Sequence, residues 1–237
     1  FDYKQNLTNY NLELEYNDNE KSLSGNESVT YVNSSKNILK NVKFHLYPNA
    51  FRENSKASVV SKSNETKAYP NGKSYGNITV DNVKVGNENS NYEICGEDEN
   101  ILNVNLNEDL YPNDKVQISL TFYVKLPNLN HRFGYGDNAV NICNFYPVAC
   151  VYENDDFVTK LYNSNGDPFY SEVADYNVTV KYPQNLLIAT SGVTVSQTTE
   201  NEINTIYVQA KCVRDFAIVM SNKFQTKNTN YKDRLDI

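Results

Sequence analysis

Apolar and polar side chains alternate with a period of two along most of the chain, as is typical of β-strands with one buried face. The first such run lies between Tyr10 and Tyr16, where tyrosine and leucine alternate with asparagine and glutamate. The longest run extends from Val116 to Leu126, and Pro127 ends it. We predict a half-buried strand at each of these places.

Further runs of the same kind recur at short intervals and are separated by turn residues such as Ser24-Gly25-Asn26 and Pro112-Asn113-Asp114. They fall at 28–32, 42–46, 78–80, 83–85, 102–106, 176–182, 186–189, 193–195, 203–208 and 216–220. No segment has a helical stripe of useful length. Many short strands joined by frequent turns predict an all-β fold, a large antiparallel β-sandwich or saddle.

One stretch, residues 128–175, carries aromatic residues and prolines without alternation. A long irregular stretch inside a compact domain is usually functional or part of an interface. The last residues, 225–237, are polar. We therefore predict a single β domain over 1–224, followed by a linker over 225–237.

Composition limits the kinds of molecule that this chain can be expected to bind. The chain has 22 Lys and Arg against 29 Asp and Glu, a formal net charge of -7, and no basic cluster. Phosphate backbones require clustered positive charge, so a nucleic-acid partner is excluded. The longest apolar run, from Phe216 to Met220, is too short to span a bilayer.

The motifs of self-contained catalytic sites are absent from the sequence. The two histidines, His45 and His131, are not part of an H-E-x-x-H zinc motif. The letters G-x-S-x-G occur at 72–76, but they follow the turn residues Pro70-Asn71 and not a predicted strand, so they do not form a nucleophile elbow. There is no glycine-rich phosphate loop. We predict no catalytic residue, no metal ligand and no cofactor in this chain. His45 alternates with Phe44 and Leu46, so we expect it to be an exposed or interface residue.

The cysteines leave two alternatives open, and one acidic run is predicted to be structural. Cys95, Cys143, Cys150 and Cys212 lack the C-x-x-C spacing of a metal knuckle. They are either buried free thiols or members of a Cys143–Cys150 or Cys95–Cys212 disulfide. The acidic run 97–99 lacks the ligand spacing of a calcium loop and is predicted to lie at a hairpin tip.

Several phrases occur in an order that resembles the N-terminal domain of the aminopeptidase N family of zinc metallopeptidases, especially its short bacterial members. They cover nearly the whole chain, although Phe145 stands where the family more often has Trp. The phrases are 23–33 (LSGNESVTYVN), 44–51 (FHLYPNAF), 132–135 (RFGY), 144–148 (NFYPV), 166–171 (GDPFYS), 174–180 (ADYNVTV) and 213–217 (VRDFA).

This resemblance implies a saddle-like β domain that packs on a catalytic domain holding zinc, whose ligands would lie beyond Ile237. Larger family members also use a Gln or Glu of the β domain to bind the free amino group of the peptide substrate. Counting back from Tyr146-Pro147, the corresponding residue is Asn138, next to Asp137. A carboxylate such as Asp137 can hold an ammonium group by a charge-assisted hydrogen bond.

Our first hypothesis is a non-catalytic scaffold and substrate-gating domain of a zinc aminopeptidase, inactive when alone, with the catalytic domain and a peptide substrate as partners. The resemblance also favours an exported or membrane-anchored bacterial protein. The alternatives are a stand-alone β-sandwich module that binds carbohydrate or a surface protein, and the β domain of an inactive peptidase homologue. A scaffold domain should expose an apolar docking patch, whereas a free module should not.

Overall fold

The computed structural model describes residues 6–164, 168–227, 230–231 and 235–236. The fold is all-β, as the alternating pattern predicts. The first half contains two 3₁₀ helices, Tyr47–Phe51 and Lys62–Asn64, and one short helix, α1 (Glu65–Ala68). Its strands are β1 (Thr8–Asn17), β2 (Ser22–Val32), β3 (Leu39–His45), β4 (Asn77–Val85), β5 (Glu88–Asn89), β6 (Tyr92–Cys95), β7 (Ile101–Leu110) and β8 (Lys115–Lys125).

The second half continues with very short strands through the irregular stretch and then returns to long strands. These are β9 (Phe133–Tyr135), β10 (Val140–Cys143), β11 (Val148–Ala149), β12 (Tyr152–Glu153), β13 (Asp156–Phe157), β14 (Ala174–Pro183), β15 (Leu187–Thr190), β16 (Val193–Glu200), β17 (Ile203–Val213), β18 (Ala217–Ser221), β19 (Asn230–Tyr231) and β20 (Leu235–Asp236). Part of the predicted linker thus pairs as a small hairpin, and its other residues from 228 onward lie outside the described residues.

The largest sheet has eight strands in the order β16-β17-β14-β1-β2-β8-β4-β5. Its pairs are antiparallel except at the centre, where β1 and β14 run parallel with Leu12 beside Val178. Two four-stranded sheets, β15-β18-β10-β9 and β11-β3-β7-β6, and two two-stranded sheets, β12-β13 and β19-β20, contain the other described strands. The irregular stretch supplies β9 and β10 to the first small sheet and β11 to the second.

One continuous core is enclosed by these sheets. The apolar face of the large sheet contributes Leu12, Val178 and Phe122, and the irregular stretch lays Phe145 and Tyr146 against that face. Tyr10 of β1 stacks on Tyr176 of β14, with ring centroids 4.9 Å apart, and meets Tyr146 edge-on at 5.6 Å. The irregular stretch is therefore packed core structure for much of its length.

A close approach in the large sheet explains the glycine of the opening phrase LSGNESV. Gly25 on β2 lies directly beside Phe122 on β8, and a Cβ at Gly25 would overlap the Phe122 ring. We expect Gly25→Ala to lower the free energy of unfolding by about 1–3 kcal/mol because the ring must move within a packed core. Urea denaturation of this variant, compared with Ser24→Ala on the exposed face, measures the effect.

A double variant tests whether the ring is the cause. Phe122→Leu makes room beside Gly25, so Gly25→Ala should cost much less in that background than in the native chain. Equal costs in both backgrounds would contradict this packing explanation.

Candidate functional site

The two residues that the resemblance implies for binding the substrate amino group, Asp137 and Asn138, lie in the turn between β9 and β10. Asp137 and Asn138 are both exposed there. Ser221 Oγ donates to the backbone carbonyl of Asn138, and Lys223 Nζ donates to its side-chain oxygen at 2.9 Å. Since the Asn138 oxygen already binds an ammonium group of the protein itself, Asp137 is the better candidate for an external one.

Two exposed apolar residues neighbour, in strand register or in sequence, the residues that bond to this turn. Leu187 of β15 lies beside Ser221 of β18, which in turn holds Asn138, and Leu187 is 46% exposed. Phe224, just after Lys223, is 38% exposed. The end of the β15-β18-β10-β9 sheet thus combines exposed apolar surface with one carboxylate and one ammonium group.

The described residues contain no group of three or more His, Cys, Asp or Glu side chains that could hold a metal ion. In the same part of the chain, no helix is long and apolar enough to cross a membrane. The four cysteines are free thiols. Burial raises the pKa of the Cys95, Cys143 and Cys150 thiols, which disfavours the reactive thiolate.

The expectation for His45 was wrong, because its side chain is only 2% exposed. β11 covers it: Val148 pairs with His45, and the His45 ring stacks on Tyr47 with centroids 4.6 Å apart. Burial lowers the pKa of His45 to about 4. The Val158 backbone offsets a little of this shift, but neither ring nitrogen makes a well-formed hydrogen bond to a described residue.

The phrase NFYPV has a structural role in this fold. Phe145 and Tyr146 are fully buried, and the Tyr146 hydroxyl donates to the Tyr176 hydroxyl at 3.0 Å. Tyr176 donates in turn to the carbonyl of Arg214 at 3.3 Å. Burial raises the pKa of Tyr146 well above 10.0, so its phenol is held in the protonated form. These residues fix the irregular stretch to the large sheet.

Reciprocal bonds join Ser171 and Arg214, which come from two different sequence phrases. Ser171 Oγ donates to the Arg214 carbonyl, and Arg214 Nη1 donates to the Ser171 carbonyl, each at 2.7 Å. On the same side, the Arg132 guanidinium lies 5.3 Å from the centre of the Phe169 ring. Residues far apart in the sequence are thus joined by contacts that the order of the phrases alone does not show.

Three buried polar residues were missed by sequence reasoning. Asp98 lies at the predicted hairpin tip but is only 1% exposed, and it accepts the backbone N–H groups of Lys56 and Ala57 at 2.7 and 2.9 Å. It is therefore a structural carboxylate. Asn144 and Glu27 are also buried, and their side-chain oxygens make no hydrogen bond to a described residue.

Glu27 lies on the inner face of β2 between Leu12 and Leu120. Burial raises its pKa well above the usual 4.5, and its charge would also disfavour ionisation of nearby Tyr10 and Tyr176. Burial therefore favours the neutral form of this carboxyl group. No positively charged group contributes to its pKa shift. Glu27 is therefore a buried carboxyl group that faces the core and not a substrate.

No protein-family model and no curated protein matches this sequence. The fold, by contrast, is similar to solved structures of zinc peptidases. An M1 zinc metallopeptidase from Deinococcus radiodurans matches with a TM-score of 0.55 and 14% identity over 91% of this chain.

Two related structures match in the same way. One is a mutant of the Deinococcus radiodurans protein bound to a Tyr-Ser-Ala substrate, with a TM-score of 0.53 and 13% identity. The other is a two-domain M1 zinc metallopeptidase mutant bound to L-tryptophan, with a TM-score of 0.53 and 15% identity. Each match again covers 91% of this chain.

This chain spans only 42% of the length of each of these proteins. At such low identity the likeness is one of fold. The all-β architecture of this chain is therefore that of one portion of M1 zinc metallopeptidases, and it agrees with the fold that the sequence phrases imply.

Proposed function

We propose that this chain is the non-catalytic N-terminal scaffold and substrate-gating domain of a zinc-dependent aminopeptidase. The fold likeness over 91% of the chain to M1 zinc metallopeptidases is the observation that carries this proposal. The ordered sequence phrases support it independently. In this proposal a catalytic domain of the same protein holds zinc, which activates a water molecule for hydrolysis of peptides at their N-terminal residue.

The turn between β9 and β10 is the part of the domain that we assign to substrate gating. Asp137 is exposed there and would bind the amino group of the peptide by a charge-assisted hydrogen bond. Leu187 and Phe224 provide exposed apolar surface beside it, against which the catalytic domain would pack.

We place the whole protein outside the bacterial cytoplasm, exported or anchored to the membrane.

The test compares this chain with a longer protein that contains it and the catalytic domain. Both are incubated with zinc and a panel of aminoacyl p-nitroanilides. We expect only the longer protein to release p-nitroaniline. Hydrolysis by this chain alone would contradict the proposal, and inactivity of both proteins would favour the inactive-homologue alternative.

Asp137 is tested within the longer, active protein. Asp137→Asn should raise KM for aminoacyl anilides by about tenfold or more with a smaller change in kcat, because an ion pair to the substrate amino group is lost. Asp109→Asn, at an exposed carboxylate on β7, is the control. If both variants keep the native KM, Asp137 does not bind the amino group.

A further inference from the structure

The exposed face of the large sheet carries a shallow groove that the peptidase proposal does not use. Two depressions, of about 400 and 350 Å³, lie side by side across β14, β1, β2, β8 and β4. Glu13, Asn26 and Thr121 line both of them. Each volume lies near the lower end of the range of small-molecule binding sites.

The strand register arranges the groove as rows of side chains. One row runs Thr179, Glu13, Asn26 and Thr121, each directly beside the next on neighbouring strands. The next row runs Lys181, Glu15, Ser24 and Tyr123. Strands lie about 4.8 Å apart, so each row spans roughly 15 Å.

The lining of the whole groove is polar and electrically balanced. Two carboxylates, Glu13 and Glu15, lie among two ammonium groups, Lys84 and Lys181, and the remaining side chains that point into the groove are hydroxyls and amides. The buried Glu27 points to the other face. A balanced groove gives no net attraction to a polyanion or a polycation.

Hydrogen bonds hold several of these groups in place without using all of their capacity. Asn82 Nδ2 donates to Thr121 Oγ1 at 3.0 Å, and Asn26 Nδ2 approaches Glu13 at 3.4 Å. The hydroxyl of Thr121 and the second oxygen of Glu13 can each accept further bonds. Beside the groove, Tyr123 is 40% exposed and offers an aromatic surface next to Ser24.

From this arrangement we infer that the groove binds a neutral oligosaccharide. Sugar hydroxyls both donate and accept hydrogen bonds, and so they match fixed carboxylates, amides and hydroxyls, while the C–H face of a sugar ring packs on an exposed tyrosine. A peptide cannot add here as a strand, because the strands in the middle of the groove are paired on both sides. This inference is independent of the peptidase proposal.

The experiment titrates the chain with maltohexaose, cellohexaose and chitohexaose, followed by isothermal calorimetry and by amide chemical shifts. At least one of these neutral sugars should bind saturably, with shifts confined to β14, β1, β2, β8 and β4. Tyr123→Ala and Asn26→Ala should each weaken binding by about tenfold or more. Tyr111→Ala, at a tyrosine that is 53% exposed away from the groove, should leave it unchanged.

Added salt distinguishes binding of a neutral sugar from electrostatic binding of a charged ligand. Binding of a neutral sugar should change little with ionic strength. A heparin hexasaccharide and a Tyr-Ser-Ala tripeptide serve as a charged probe and a peptide probe. The inference is overturned if none of the three neutral sugars binds, if only heparin or the tripeptide binds, or if Tyr123→Ala binds as the native chain does. Thermal melts confirm that each variant folds, which is expected since these side chains face solvent.

Discussion

Glu27→Met should raise the free energy of unfolding of this chain by about 1–3 kcal/mol near neutral pH. Both carboxyl oxygens of Glu27 are buried without a hydrogen bond to a described residue, and apolar strands surround the side chain. Methionine has a similar length and no polar group to desolvate. Urea denaturation at pH 8 measures the gain.

The pH dependence identifies the carboxyl group as the cause. The folded-state pKa of Glu27 is raised above 4.5, so the folded protein holds a proton that the unfolded chain releases. The contribution of Glu27 to the stability of the native chain therefore falls as pH rises from 4.5 towards the folded pKa. The advantage of Glu27→Met should be smaller at pH 4 than at pH 8.

Glu108→Met is the matched control, since Glu108 is an exposed carboxylate on β7. Its stability should follow that of the native chain at both pH values. An equal gain at pH 4 and pH 8 for Glu27→Met would instead point to better packing, and no gain at all would mean that Glu27 has a partner in solution.

Glu27 also shows how far the sequence pattern predicts burial. Alternation places Glu27 on the same face as Val29 and Leu23, so its position on the inner face follows from the period of β2. A charged residue at such a position interrupts the alternation of apolar and polar side chains. What the pattern cannot supply is the depth of the core at that point, which depends on how the irregular stretch covers the sheet.

The topology was predictable only in part. The strands themselves follow from local alternation and turn residues, and nearly all of the pairings are antiparallel, as expected. The central β1–β14 pair is parallel, with Thr8 beside Ala174. No local signal specifies a pair that is formed by residues so far apart in the chain, because parallel strands need a long crossover connection, which here is the body of the protein.

The candidate site was predictable only through the sequence phrases. Through the resemblance they imply that Asp137 or Asn138 binds the substrate amino group, which stays a prediction, and the structure adds Lys223 as a partner of Asn138 that lies far away in the sequence. No sequence motif marks the groove on the large sheet, because its side chains come two or three from each of five strands. Only the register brings Glu13, Asn26 and Thr121 together.

His45 carries the second large effect, with the opposite dependence on pH. Burial lowers its pKa from 6.5 to about 4, so the unfolded chain binds a proton in this range that the folded protein does not. The contribution of His45 to stability should therefore be lost as pH falls from 6.5 to 4, by an amount on the order of 3 kcal/mol. His45→Phe, which keeps an aromatic ring against Tyr47, should abolish that loss.

In the native chain, Glu27 and His45 have opposite effects on how stability changes with pH. Between pH 4.5 and 6.5 the folded protein gains stability with rising pH through His45 and loses it through Glu27, so the slopes oppose. Glu27→Met should expose the slope of His45, and adding His45→Phe should flatten it again. His131→Phe should have a smaller effect, because His131 is only half-buried and its pKa is lowered less. A pH profile of Glu27→Met that stays flat from 4 to 6.5 would show that His45 takes up its proton without unfolding the core.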